Sequence, residues 1–175
     1  MGLLMQNEVE ALSKAFLSPA HPFVAIIGGA KISTKLGVLE ALLKSCDTLL
    51  LGGGMVYTFM KAKGIKVGSS LVEEEMLPKA LELLELAAAR GKHLFLSEDI
   101  VVTDSIEKPT KILTVPLVDG IPDGMEGVGI GEKTVLAWTP HIRMAKTIFW
   151  NGPLGVCEKE AFSKGTKAIA SCIAH

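Results

Sequence analysis

The sequence predicts a doubly wound α/β domain, in which a mostly parallel sheet carries helices on both faces. Short apolar runs alternate along the chain with longer segments of helical periodicity, an order typical of parallel strands joined by crossover helices. The mean hydropathy is high, at +0.40, although no apolar run approaches the roughly 20 residues of a membrane span. Strands that are buried on both faces explain both observations. We therefore expect a Rossmann-like sheet.

The first predicted elements are a helix and a buried strand. Over Gln6–Ser18, apolar residues recur at steps of three and four, which predicts a helix that Pro19 and Pro22 end. The run "FVAII" is short, apolar and followed at once by Gly28 and Gly29, a pattern typical of a buried strand.

Three helices and a second strand are predicted next. "TKLGVLEALLKSC" has helical spacing, "DTLLL" is a second buried strand ended by three glycines, and "MVYTFMKAK" is a further helix. In "SSLVEEEMLPKALELLELAAARG", Ser70 and Glu73 have the spacing of a capping box, which predicts a helix start there and an end at Gly91. Pro78 lies inside that pattern and predicts a separate or kinked first turn.

The second half of the chain is predicted to alternate in the same way. "KHLFL" and "KILTV" are strand candidates joined through the polar loop "TDSIEKPT", and Glu98, Asp99 and Asp104 are expected to end a strand rather than to bind a metal. The glycine-rich residues 118–131 are expected to be irregular. "EKTVLAWTPHIRMA" predicts a helix with a kink or break at Pro140. "KTIFWNGP" predicts a further strand that a turn stops, and "EAFSKGTKAIASCIAH" predicts a last helix. Because a doubly wound sheet would ordinarily continue, we expect a piece of something longer, with no domain boundary inside it.

Composition and charge exclude several classes of function. The chain has 175 residues, of which 49% are hydrophobic, and its 18 basic and 19 acidic residues nearly cancel. Such a balance gives no electrostatic footprint for nucleic acid or a membrane surface.

The three cysteines lack pairing or C-x-x-C spacing and the N-terminus lacks a secretory pattern, so we expect reduced thiols and a cytoplasmic protein. The four histidines show no metal-ligand spacing, and no serine hydrolase elbow is present.

Glycine-rich or polar turns follow three of the predicted strands, and they define the candidate site. Ligands of open parallel sheets bind beyond the carboxyl ends of the strands, where this chain carries "GGAKISTK", "GGGM" and "NGPLGVCE". In the first turn, Lys31 and Lys35 are four residues apart and would share one face of a helix whose N-terminus points free N–H groups at an anion. Taken alone, the stretch slightly favours a glycine turn followed by two solvated lysines.

The other two turns are also ambiguous when each is taken alone. "GGGM" could let a flat base lie against bare backbone, or it could be a tight connection between strand and helix. Asn151 offers a polar contact, and Glu158 could accept hydrogen bonds from ribose hydroxyls or cap a helix. The chain lacks the Walker A spacing and the dinucleotide fingerprint, so a P-loop enzyme and an NAD-dependent dehydrogenase are disfavoured. A nucleotide-binding module without catalysis and a purely structural domain remain as alternatives.

Four stretches and the spacing between them together resemble the phosphoglycerate kinase family. They are "PFVAIIGGAKISTKLGVLEALL", "LLLGGGMVYTF", "GIPDGMEGVGIG" and "AKTIFWNGPLGVCEKEAFSKGTKAI". The resemblance covers nearly the whole chain. It implies that residues 1–175 are most of a C-terminal nucleotide-binding domain, with the N-terminal substrate domain and a final C-terminal segment absent.

The resemblance also implies an activity and a set of site residues. The activity is reversible transfer of a phosphoryl group between 1,3-bisphosphoglycerate and ADP, giving 3-phosphoglycerate and ATP in glycolysis, with Mg²⁺ carried by the nucleotide. Lys31 is similar to the lysine that follows the transferring phosphoryl group, and Lys35 to the lysine beside the α-phosphate. The other residues implied in nucleotide binding are Gly28, Gly29, Ala30, Gly53, Gly54, Leu71, Gly127, Val128, Asn151, Pro153, Val156 and Glu158.

Two local departures and one larger one qualify the resemblance. Cys157 stands where the family usually has Phe, and "GVGIG" lacks an Asp that the family often has there. The phosphoglycerate-binding domain is missing, and the family works by closing two domains to exclude water. We therefore expect the chain to bind nucleotide but to lack significant activity by itself, and we expect its parent to be a monomer.

Overall fold

The computed structural model describes residue 10 and residues 16–175 of the chain. Most of the helix predicted over Gln6–Ser18 lies outside these residues. Its described end, residues 16–18, forms a turn and a bend.

A four-stranded parallel sheet forms the centre of the fold. Its strands are β1 (Phe23–Ile27), β2 (Thr48–Leu51), β3 (His93–Phe95) and β7 (Thr147–Asn151), in the spatial order β3-β2-β1-β7. The last residue of β1 lies opposite the last residues of β2 and β7. The carboxyl ends of these three neighbouring strands therefore meet at one edge, as the sequence predicts.

Helices cover both faces of this sheet. They are α1 (Ile32–Ser45), α2 (Met55–Ala62), α3 (Leu77–Ala89), α4 (Glu132–Met144) and α5 (Lys164–Ala174). Alternate side chains of β1 enter different cores, since successive residues of a strand point to opposite faces. Ile27 packs with α1, α2 and α3, whereas Ile26 packs with α4 and α5. The predicted doubly wound arrangement and the helices on both faces are confirmed.

A second, antiparallel sheet corrects the prediction of a single sheet. It contains β4 (Asp99–Thr103), β5 (Ile112–Pro116) and β6 (Glu126–Ile130), in the order β5-β4-β6. "KHLFL" and "KILTV" are indeed strands, but they belong to different sheets, and Asp99 begins β4 instead of ending a strand. Residues 118–131 are not wholly irregular, because β6 lies within them.

The start of α3 also differs from the prediction. The helix begins at Leu77 with Pro78 in its first turn, after a separate 3₁₀ turn over Glu74–Met76. The separate first turn is confirmed, but the capping box is wrong, since the side chains of Ser70 and Glu73 accept hydrogen bonds from residues elsewhere in the fold. Pro140 lies inside α4 and does not end it.

Within the described part of the chain, every helix is too short or too polar to cross a membrane.

Candidate functional site

Backbone hydrogen bonds join the three turns that follow β1, β2 and β7. The N–H of Gly28 donates to the carbonyl of Asn151 at 2.9 Å, and the N–H of Gly29 donates to the carbonyl of Pro153 at 3.0 Å. The carbonyl of Gly29 accepts from the N–H of Met55, the first residue of α2, also at 3.0 Å. The turns therefore form one connected floor at the carboxyl edge of the sheet.

Gly53 shows why glycine is needed in this floor. Its φ is +75°, and a Cβ there would lie 2.7 Å from the backbone nitrogen and oxygen of Gly29. Both the left-handed backbone and the close approach exclude a larger residue. Close packing of the turns thus accounts for this glycine, and the same packing leaves bare backbone along the cleft.

A cleft of about 310 Å³ opens above this floor. It brings together most of the residues that the sequence predicts in the site: Gly29, Ala30, Gly53, Gly54, Leu71, Gly127, Val128, Pro153, Val156 and Glu158. The side chain of Leu71 is 53% exposed although it is apolar. An exposed apolar wall facing bare backbone suits a flat, partly apolar ligand.

Four predicted residues lie beside the cleft rather than in its walls: Gly28, Lys31, Lys35 and Asn151. Lys35 is half-buried in the first turns of α1, and its Nζ donates a hydrogen bond to Oδ1 of Asn151. Lys35 also lies close to Gly29, because a Cβ on that glycine would be 3.5 Å from Cε of the lysine. The Lys35–Asn151 pair therefore lies at the floor's edge, where β1 and β7 end.

Lys31 occupies a different position from the one expected. It is exposed and immediately precedes α1, with an extended backbone (φ −132°, ψ 130°). The expectation that Lys31 and Lys35 share one helical face is wrong, because only Lys35 lies in the helix. Neither lysine is within ion-pairing distance of a described carboxylate, so both charges are available to an anion.

The N-terminus of α1 is less free than the sequence suggests. The N–H of Ser33 donates to Oε1 of Glu73 at 3.2 Å. A carboxylate of the protein thus already uses one of the N–H groups that were expected to face an anion.

Four residues line the cleft without having been predicted there: Tyr57, Ile106, Glu126 and Gly155. The ring of Tyr57 lies against Gly127, where a Cβ would come within 2.5 Å of Cε1 of the ring. Burial and the negative charge of Glu126 raise the pKa of the Tyr57 phenol well above its ordinary value. A sequence signal existed for Ile106, which is the one large apolar residue in the polar loop "TDSIEKPT".

The cysteines do not add a reactive group to the floor of the cleft. Burial raises the pKa of the Cys46 thiol to about 11, so this thiol stays protonated at neutral pH. Cys157 is exposed and lies between Val156 and Glu158, two residues of the cleft wall. Its neighbours place it at the rim of the cleft and not in the floor.

The described residues do not form a metal site of their own. No group of three or more His, Cys, Asp or Glu side chains is arranged to hold an ion in the part of the chain that the structure describes. A metal that enters with a ligand would have to keep most of its ligands from that ligand and from water.

Together these features define a doubly wound α/β domain with a cleft at the carboxyl edge of its sheet. The phosphoglycerate kinase family model matches residues 1–175, and the chain belongs to the phosphoglycerate kinase family.

Individual relatives and solved structures agree with this assignment. The chain is 49% identical to the phosphoglycerate kinase of Rubrobacter xylanophilus and 46% identical to that of Pseudothermotoga lettingae, over 99% of its length in each case. The phosphoglycerate kinase structure from Coxiella burnetii superposes with a TM-score of 0.88 at 41% identity, again over 99% of this chain. The chain spans only 43–44% of the length of these proteins.

A relative from Arabidopsis thaliana is named cytosolic and another chloroplastic, so the family occurs in more than one compartment.

Proposed function

We propose that this chain is the nucleotide-binding part of a phosphoglycerate kinase and that it binds ADP and ATP as their Mg²⁺ complexes. The whole enzyme would transfer a phosphoryl group reversibly between 1,3-bisphosphoglycerate and ADP in glycolysis. One observation carries the proposal: a cleft lined by glycine backbone and apolar side chains adjoins two lysines that pair with none of the described carboxylates. Family membership supports it.

Each end of the site has a chemistry that suits one end of a nucleotide. Leu71, Val128 and Val156 offer apolar contact to a base, and the carboxylate of Glu158 can accept hydrogen bonds from ribose hydroxyls. At the other end, the Nζ groups of Lys35 and Lys31 can bind phosphate oxygens. Lys31 is the catalytic residue of the proposal, because a fixed cation lowers the barrier when charge spreads over the transferring phosphoryl group.

The Mg²⁺ of the proposal belongs to the nucleotide. Mg²⁺ commonly keeps several waters and binds through substrate phosphates with one or two protein carboxylates. The described carboxylates of the cleft, Glu126 and Glu158, are not part of a group of three metal ligands, so we assign no residue of this chain to the ion.

The acyl phosphate and 3-phosphoglycerate would be bound by parts of the relatives that this chain does not match. We propose that the 175 residues bind nucleotide but turn over little or no substrate alone, that the parent is a cytoplasmic monomer, and that neither nucleic acid nor a membrane is a partner. A coupled assay that gave normal turnover with the chain alone would contradict the proposed division of roles.

Calorimetric titration with Mg·ADP tests the nucleotide site. The Lys35→Ala variant should bind ADP about tenfold or more weakly, since a charge-assisted hydrogen bond contributes roughly 1.5–3 kcal/mol. Lys44→Ala is the matched control, because Lys44 is exposed in the last turn of the same helix. NAD should not bind. Absence of ADP binding by the folded chain, or equal affinity in both variants, would refute the assignment of Lys35.

The role of Lys31 needs a second experiment in a full-length phosphoglycerate kinase that contains this sequence. Lys31→Ala should lower kcat far more than it lowers ADP affinity, because the proposed contact forms with the transferring group. Equal losses in both quantities would remove Lys31 from the phosphoryl-transfer role.

A further inference from the structure

Residues 67–73, here called the 67–73 segment, connect the antiparallel sheet region to the N-terminus of α1. Val67 forms a parallel bridge with Ile121, and the N–H of Ser69 donates to the carbonyl of Met125 at 2.8 Å. Next, Oγ of Ser70 accepts a hydrogen bond from the N–H of Gly127 at 2.9 Å. The segment is thus fixed beside β6 before it reaches the cleft.

Glu73 fixes the other end of the 67–73 segment. Its residue exposure is 7%, and its Oε1 accepts from the N–H of Ser33 in the first turn of α1. Its own N–H donates to Oγ1 of Thr58, a fully buried residue of α2, at 3.1 Å. One buried residue therefore joins the two helices that follow the glycine turns of β1 and β2.

The first turn of α1 benefits from an external acceptor of this kind. The residue at its N-cap is Lys31, whose ammonium group has no lone pair and cannot accept a hydrogen bond from the helix. The first N–H groups of a helix lack partners within it, and a carboxylate near them is favourable both as an acceptor and as a negative charge. Glu73 supplies that acceptor from 40 residues away.

We propose that Glu73 is a positioning residue for the phosphate end of the nucleotide site. By holding Ser33, it fixes the backbone on which Lys31 and Lys35 are mounted. It also ties that backbone to Leu71, which lies two residues earlier and lines the base end of the cleft. Glu73 acts through these residues and touches no ligand. The inference rests on the proposed nucleotide-binding function.

Three substitutions of Glu73 separate its hydrogen bond from its charge. Glu73→Gln keeps an oxygen acceptor at the same reach and removes the charge. Glu73→Asp keeps the charge but shortens the side chain by one methylene, and Glu73→Ala removes both. Glu75→Ala is the matched control, because Glu75 is an exposed neighbour in the same acidic run.

Two readouts are measured on each variant of the 175-residue chain. The first is hydrogen exchange of the Ser33 amide, with the buried amides of β1 as the internal reference for global stability. The second is the affinity for Mg·ADP by calorimetry. In Glu73→Ala and Glu73→Asp we expect Ser33 to exchange about tenfold faster, with β1 little changed, and ADP to bind roughly five- to tenfold more weakly. Glu75→Ala should stay within about twofold of the wild type in both readouts. Glu73→Gln, which keeps the acceptor and loses only the charge, should lose at most about fivefold and less than Glu73→Ala.

The outcomes distinguish this inference from the proposed function. If the wild type binds no ADP, the nucleotide-binding function fails, and Ser33 exchange still decides whether Glu73 holds α1. If the wild type binds ADP and Glu73→Asp binds it equally well, Glu73 is not a positioning residue. If Glu73→Gln binds ADP much more tightly than the wild type, the carboxylate repels the phosphates, and the inference is likewise overturned. Should Glu73→Ala fail to fold, the Asp and Gln variants carry the comparison.

Discussion

At the scale of single residues, Tyr57 combines burial with a place in the wall of the cleft. The residue is 5% exposed and lines the cleft, and burial together with the charge of Glu126 raises its pKa well above the ordinary 10.0. It is also the only tyrosine in the chain. Any tyrosinate absorbance therefore reports on this one position.

The raised pKa of Tyr57 predicts a loss of stability at alkaline pH. The phenol stays neutral in the folded chain while the unfolded chain ionises near pH 10, so the stabilisation is complete below about pH 10 and is lost as the pH rises towards the folded-state pKa. Absorbance at 295 nm should not rise until the chain unfolds. In Tyr57→Phe, alkaline unfolding should begin at a higher pH. A folded chain that titrates near pH 10 would contradict this environment for Tyr57.

The packing of Gly28 predicts a large effect from a single methyl group. A Cβ there would overlap the carbonyl oxygen of Pro153 and lie 2.7 Å from that of Gly152, and both obstacles are backbone atoms that cannot rotate away. Gly28→Ala should lower the free energy of unfolding by about 3 kcal/mol, the upper end for overpacking. Gly64→Ala serves as the control, because Gly64 has a φ of +80° but nothing within 4 Å, and strain alone should cost about 1–2 kcal/mol. Urea midpoints that do not differ between the two variants would rule out the proposed clash.

At the scale of elements, β6 is a strand that the sequence does not predict. Its residues "EGVGI" have the glycine content of a loop, and glycine is depleted in strands. In the fold, Gly127 faces the ring of Tyr57 and Gly129 the carbonyl of Phe162, so close approach to other elements explains both glycines. Those neighbours are far away in sequence, which is why neither the strand nor the role of Tyr57 could be predicted. The three turns of the floor could be predicted, because each follows its own strand directly and parallel strands end at a common edge.

In both α1 and α4, a carboxylate from a distant segment accepts hydrogen bonds from the first turn of the helix, and the sequence analysis did not predict this. Neither has a capping side chain at its own N-cap. As Glu73 does for α1, Asp99 of β4 accepts from the N–H groups of Lys133 and Thr134 in α4, at 3.1 and 2.9 Å. Capping rules look for an acceptor immediately before the helix, and in both cases the acceptor comes from a distant segment.

Removal of the Asp99 carboxylate should therefore destabilise the chain. Asp99 is 3% exposed and also accepts a hydrogen bond from Oγ1 of Thr134 at 2.7 Å. Asp99→Ala should lower the free energy of unfolding by about 2 kcal/mol or more, because a lost cap is joined by buried donors without partners. The neighbouring Glu98→Ala, at an exposed side chain, should change it by less than about 0.5 kcal/mol. Equal urea midpoints for the two variants would show that Asp99 does not cap α4.

At the scale of the whole molecule, one strand belongs to two cores. Ile27 of β1 lies in the core with α1, α2 and α3, and Ile26 lies in the core with α4 and α5. The two tryptophans of the chain, Trp138 and Trp150, both pack in the second core, whereas Tyr57 packs in the first. Tryptophan fluorescence therefore monitors one face of the sheet alone.

This arrangement predicts that the two faces unfold together. Ile27→Val removes one methylene from the first core and should cost about 1 kcal/mol, and Ile26→Val should cost about as much in the second. Because β1 contributes side chains to both cores, we expect the two cores to unfold in one cooperative transition. Ile27→Val should then shift the urea midpoint of tryptophan fluorescence as far as it shifts the midpoint of far-UV circular dichroism. Ile26→Val is the reference for a direct effect on the tryptophan core. A fluorescence midpoint that moves in Ile26→Val but not in Ile27→Val would mean that the two cores unfold independently.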